Sequence, residues 1–165
     1  MQIVNEEVRG LYGGKVRVRV CGICIENQRI LLVDHALYGG HFWVPPGGGV
    51  DFGESAQEAL RREFVEETGL EIAVGRLMFV HEHIAGTLHG VELFFEVNII
   101  RGTLKTGIDP ELSPESQVIK AVGFRDWDEL SAFSPNQLHR IFSLVGSLDE
   151  IGSLPAFISA KTGNL

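Results

Sequence analysis

At 165 residues the chain has the length of one domain. Its 44% hydrophobic and 22% charged residues suit a folded globular protein rather than a disordered tail. Fourteen Lys and Arg against 22 Asp and Glu leave a net charge of −8, which argues against a general nucleic-acid binder, because phosphate backbones demand a basic footprint.

In chain order, the acidic start from Met1 to Glu7 lacks the basic-then-apolar order of a signal peptide. No segment approaches the roughly 20 apolar residues of a membrane span. A reducing, cytoplasmic location with no membrane partner is the expectation. Val16 to Ile25 and Arg29 to Asp34 are β-branched apolar runs around the polar turn Glu26-Asn27-Gln28, the pattern of a hairpin. Cys21 and Cys24 have CxxC spacing, but positions three apart on a strand point to opposite faces, and a second pair for a zinc site is missing. Both read as structural cysteines. His35 to His41 reads as a polar loop, followed by Phe42-Trp43-Val44 and the rigid turn Pro45 to Gly49.

A helix is predicted from Ser55, an N-cap with Glu58 at capping-box spacing, to a stop at Gly69. Leu70 to Val74 reads as a short strand, and Leu77 to Ile84 and Val91 to Ile100 as two longer ones. Residues 101–117 read as a loop, Val118 to Phe124 as a strand, and Asp126 to Leu130 as a helical turn. Pro135 to Leu148 reads as an amphipathic helix with proline at N1. From Gly152 to Leu165 no period emerges, which suggests a surface-docked extension. Strands and helices mix without βα alternation, so a mixed sheet flanked by helices is expected.

The informative segment is Gly47 to Leu70. At about 100° per residue, Glu63, Glu66 and Glu67 share an arc of about 100° beside Ala56, Ala59 and Leu60. Three carboxylates bordering a packing face repel one another and resist burial. A solvated acidic helix is the bland alternative; it pairs Glu58 and Glu66 with Arg62 but leaves Glu63 and Glu67 without partners. Oxygen ligands on one rigid face suit a hard divalent cation.

Gly48-x5-Glu54-x7-Arg62-Glu63-Phe64-Val65-Glu66-Glu67-Thr68-Gly69-Leu70 resembles the Nudix box of the MutT-related pyrophosphohydrolases, with every fixed position met. Phe64 is aromatic where the family usually has an aliphatic residue. Phe42 to Gly48 and residues 121–130 resemble the family's lead-in and closing segments, so the likeness extends over most of residues 16–145. The resemblance implies a single α+β domain over residues 1–165, an α/β/α sandwich with a mixed β-sheet. Its core would span about 16–148, with a C-terminal extension at 149–165.

It further implies hydrolysis of a nucleoside diphosphate linked to another moiety, with Mg²⁺ or substituting Mn²⁺ as cofactor. Carried over by position, Glu63, Glu66 and Glu67 are metal ligands, with a Gly47 or Gly48 backbone carbonyl added. Arg62 orients the carboxylates, with Glu54 as its structural partner and Gly69 ending the helix. Glu66 is the first choice for general base and Glu115 in the Ser113-Pro114-Glu115 loop the second. Arg17, Arg19, Tyr38, Phe42, Trp43 and Gly48 are candidate substrate contacts; Phe42 and Trp43 alternate, so one faces the cleft and the other the core. His81 and His83 share a strand face but read as ordinary strand histidines, since no third ligand stands at a recognisable spacing.

Gly86 and Thr87 stand where subgroups recognising ADP-ribose or dinucleoside polyphosphates carry a proline or tyrosine, and a coenzyme A motif is absent. The substrate therefore stays general: an NTP or a nucleotide-sugar or ADP-ribose type of compound, with no nucleic-acid partner. Homodimers are common in the family. The contrasting readings are a catalytically silent nucleotide sensor, which typically loses box glutamates, and an isoprenoid-diphosphate isomerase, which would want a reactive cysteine.

Overall fold

The computed structural model describes residues 10, 13–36, 40–110 and 117–162. Its chain order is β1 (Val16–Ile23), β2 (Ile25–Glu26), β3 (Arg29–His35), β4 (Phe42–Val44), β5 (Gly47–Gly49), α1 (Ala56–Thr68), β6 (Leu70–Ala85), β7 (Leu88–Gly102), β8 (Ile119–Arg125), α2 (Trp127–Ala132) and β9 (Phe157–Thr162). A mixed five-stranded sheet has the order β5-β1-β7-β6-β9, and a smaller sheet joins β2, β3 and β4 with β8 against β3. The mixed α+β architecture agrees with expectation, but the strands divide into two sheets rather than one.

The division runs through the expected first hairpin. β1 pairs antiparallel with β5 and parallel with β7, and the chain passes to the other sheet at buried Cys24. Only Ile25–Glu26 and Arg29–Ile30 form the hairpin, around Asn27 and Gln28, both at positive φ as a two-residue turn requires. Cys21 and Cys24 lie in separate apolar clusters, as their spacing predicts. One cluster packs Leu60 and Phe64 of α1 against Val20, Leu31, Phe95 and Val97. The other packs Trp43, Phe79 and Phe94 under Ile141, Phe142 and Ile151.

Three expectations need correction. Leu70 to Ile84 forms one strand, β6, whose register with β7 shifts between Val74 and Phe79. The amphipathic helix expected over Pro135 to Leu148 is a series of 3-10 turns at Pro135–Gln137, Arg140–Leu144 and Leu148–Ser153. Leu138 instead takes extended geometry and bridges to Trp43, whose carbonyl accepts the His139 N–H at 2.9 Å. The supposed extension contains β9, an edge strand parallel to β6 with His81 opposite Ile158. Its Phe-Ile-Ser-Ala run was too short and mixed to declare a period. No helix among the described residues is long and apolar enough to cross a membrane.

Candidate active site

Helix α1 is fixed at both ends by its own sequence. Ser55 and Glu58 form the capping box, and Gly69 at φ 72° closes the helix with its N–H on the Val65 carbonyl. Between them the helix turns Phe64 into the core and sends the three glutamates along its edge at graded depth. Side-chain exposure is 7% for Glu67, 14% for Glu63 and 26% for Glu66.

Glu67 is held by the main chain: its Oε2 accepts the Gly47 N–H at 2.8 Å, and its Oε1 lies 3.3 Å from His35 Nε2. Gly47 must approach so closely because β5 lies against β1; a Cβ there would sit 1.9 Å from the Val20 carbonyl oxygen. Gly48 is equally constrained, since its Cβ would meet the Glu63 carboxylate at 2.2 Å.

Arg62 organises the rest. Its Nε and Nη2 take both oxygens of Glu54 at 2.9 Å, and Nη2 also donates to the Gly49 carbonyl at 3.0 Å. Its Nη1 reaches Glu63 at 2.8 Å and Glu66 at 3.3 Å. Glu63 and Glu67, which the solvated-helix alternative leaves without partners, are thus held by Arg62 and by Gly47 with His35. One guanidinium facing Glu54, Glu63, Glu66 and, at 3.7 Å, Asp51 still leaves excess negative charge. Burial, then the Glu67 charge, pushes the Glu63 carboxyl up to about 7, and burial also raises Glu66.

The helix end is strapped down by residues 103–108. Lys105, Gly107 and Ile108 donate their N–H groups to the carbonyls of Thr68, Glu67 and Glu66. These are the acceptors a helix C-terminus leaves open. Glu115 and Tyr38 lie outside the described residues.

Arg17 and Arg19 are half-buried on β1, and Arg19 Nε lies 3.6 Å from Glu92 on β7. Burial works against the Arg19 charge, but Glu92, then Cys21, Glu67 and Glu63, more than offset it and hold its pKa above the ordinary value. Phe42 is half-buried. Trp43 takes the core role of this alternating pair: it is 6% exposed, packs beside Phe133 and carries the Arg125 guanidinium over its ring. That burial withdraws Trp43 from the candidate substrate contacts.

The histidine reading also changes. His81 is buried and tied through Nδ1 to Glu92 at 2.8 Å, and His139 Nε2 meets the same oxygen at 2.9 Å. The group that forms is His81 with Glu92 and His139, not with His83, whose ring lies 6.3 Å from that of His81. His35, Glu92 and His139 all escaped sequence reasoning; the only hint was Glu92, an acid set among the apolar Val91, Leu93, Phe94 and Phe95.

Comparison with known proteins agrees with this geometry. The NUDIX domain family profile matches residues 15–142. The chain is 49% identical over 49 residues to an RNA pyrophosphohydrolase of Shewanella denitrificans, 30% of this chain and 28% of that protein. It is 36% identical over 96 residues to an ADP-ribose pyrophosphatase of Methanocaldococcus jannaschii, 56% of each. The match thus spans less than a third of the first relative and little more than half of the second. Its fold is similar to that of a NUDIX hydrolase from Nitrosomonas europaea, with a TM-score of 0.68 at 18% identity over 83% of this chain and 88% of that one. With the complete box on α1 and the family profile matching most of its length, this chain belongs to the Nudix family.

Proposed function

We propose that the chain is a pyrophosphohydrolase that cleaves the diphosphate bond of a nucleoside diphosphate linked to a further group, using Mg²⁺ or Mn²⁺ held by Glu63, Glu66, Glu67 and the Gly47 carbonyl. The observation that carries this reading is the crowding of three like-charged carboxylates along one edge of α1, with Glu63 and Glu67 buried beside Gly48 and Gly47. A divalent cation relieves that repulsion, and an all-oxygen donor set suits a hard ion. Bound there, it supplies charge neutralisation and Lewis acidity at the diphosphate.

The side chains do the remaining work. Arg62, fixed by Glu54 and Gly49, orients Glu63 and Glu66. Glu66, the most solvent-accessible of the three carboxylates, accepts the proton of the attacking water as a P–O bond of the diphosphate breaks; Glu115 is the second candidate for that base. Arg17, Arg19, Phe42 and the backbone at Gly48 contact the substrate. The charge of −8 favours a small nucleotide such as an NTP, a nucleotide sugar or ADP-ribose over an RNA end.

Incubation with Mg²⁺ and a panel of NTPs, ADP-ribose, nucleotide sugars, dinucleoside polyphosphates and 5′-triphosphorylated RNA, followed by phosphorus NMR, tests the reading. Cleavage of at least one small nucleotide is expected. Nucleotide binding without cleavage across the panel would replace the hydrolase by a sensor.

A further inference from the structure

Glu92 stands in β7 opposite Arg19 of β1 and His81 of β6, so all three side chains share one face of the sheet. Its Oε2 takes both imidazoles, and its Oε1 faces Arg19. Burial would push this carboxyl up, but His139, His81 and Arg19 outweigh it and hold it well below the usual carboxylate range.

His81, Glu92 and His139 offer three ligand atoms within 4.8 Å of one another, which invites a metal. The proton positions speak against one. His139 Nδ1 accepts the Ile141 N–H at 3.3 Å, so its Nε2 carries a proton and donates to Glu92 rather than offering a lone pair. His81 Nδ1 donates to the same acceptor, and His81 Nε2 is the buried side-chain atom left without a partner among the described residues. The cluster is a hub of donors fastened on one ionised carboxylate.

The member of this hub that reaches solvent most is Arg19, with 27% side-chain exposure. Arg19 also stands opposite Gly49 in the β1–β5 register, next to Gly48 and Gly47, which lie against Glu63 and Glu67. A loose arginine there would swing onto those carboxylates and compete with a cation for them. The geometry points to Glu92 as a positioning residue: anchored by His81 and His139, it holds Arg19 away from the metal-binding glutamates and presents it to a phosphoryl oxygen of the substrate. This rests on the pyrophosphohydrolase reading and on Arg19 as a substrate contact.

Metal binding without substrate supplies a test that does not depend on turnover. In E92Q, Arg19 is released, and Mn²⁺ affinity measured by calorimetry falls about fivefold to tenfold. In R19Q/E92Q the competitor is gone and Mn²⁺ affinity returns to the wild-type value, whereas purely structural damage would weaken both variants alike. With the best nucleotide of the panel, R19Q and E92Q each raise KM about tenfold and move kcat less, and the double variant is no worse than R19Q alone. Should E92Q fail to fold, H139N, which removes one of the two anchors, carries the same pattern. Unchanged Mn²⁺ affinity in E92Q, or a loss that R19Q does not rescue, overturns the proposal. So does stoichiometric Zn²⁺ bound by the wild type and lost in E92Q, which would make the hub a metal site. A protein that hydrolyses nothing yet shows the Mn²⁺ rescue would refute the hydrolase reading and leave the anchoring of Arg19 standing.

Discussion

Gly48 and Glu63 occupy space that a side chain at position 48 would have to share: a Cβ there would lie 2.2 Å from Glu63 Oε1. The obstructed atoms are the end of a flexible side chain, so G48A shifts the carboxylate and leaves the backbone in place. Mn²⁺ affinity and turnover should each fall about tenfold or more, with little change in melting temperature. At Gly47 the obstacle is the Val20 main chain, 1.9 Å away. G47A should therefore lower the melting temperature itself. Equal thermal losses in the two variants would contradict this division of roles.

As a proposed metal ligand, Glu63 should tie metal binding to pH. Burial and Glu67 raise its folded-state pKa from 4.5 to about 7. This group therefore favours the metal-free folded state fully below its unfolded value, and that contribution is lost as pH rises through about 7. Because a cation needs the ionised carboxylate, Mn²⁺ affinity should rise by up to about tenfold per pH unit below 7 and then level off. Calorimetry near pH 6 in buffers of different ionisation enthalpy should record a released proton. A flat affinity profile across this range would mean that Glu63 is already ionised without metal.

Glu66 is the least buried of the three box carboxylates and has no main-chain donor given to it among the described contacts. Glu66→Gln should leave the fold intact and reduce kcat by about 100-fold or more. A variant with near-wild-type kcat on the true substrate would transfer the role of base to another carboxylate, Glu115 being the first to test.

The strap over the helix end depends on Gly107, where a Cβ would lie 1.7 Å from the Glu66 carbonyl oxygen. G107A has to push the strap off α1 and break the Gly107 bond to the Glu67 carbonyl. A loss of about 1–3 kcal/mol is expected, read as a lower urea midpoint, together with weaker Mn²⁺ binding because the strap backs Glu66 and Glu67, two of the proposed metal ligands. Loss of stability with unchanged Mn²⁺ affinity would confine the strap to a structural role.

The box helix was legible because each of its signals is local. Ser55 and Glu58 cap one end, Gly69 caps the other, and the arc of Glu63, Glu66 and Glu67 follows from helical geometry alone. The partnership of Arg62 with Glu54 came from the family resemblance and agrees with the bidentate contact. Over Pro135 to Leu148 an apolar period was present but misled, because Leu138 satisfies its backbone against Trp43 instead of continuing a helix. Edge strand β9 left no period strong enough to read, since its order derives from hydrogen bonds to β6.

The sequence by itself determined that one helix carries three carboxylates on a shared edge, that its ends are capped, and that half of the net charge gathers there: six acids against two arginines between Glu54 and Glu71. Only the tertiary structure decided what surrounds each charge. Glu67 is buried because Gly47, 20 positions away, brings an N–H to it. Glu92 stays ionised because His139, 47 positions away, donates to it. Spacing along one element fixes direction, but burial and hydrogen bonding depend on which distant elements close over it, and those set the pKa values and the orientation of the arginines.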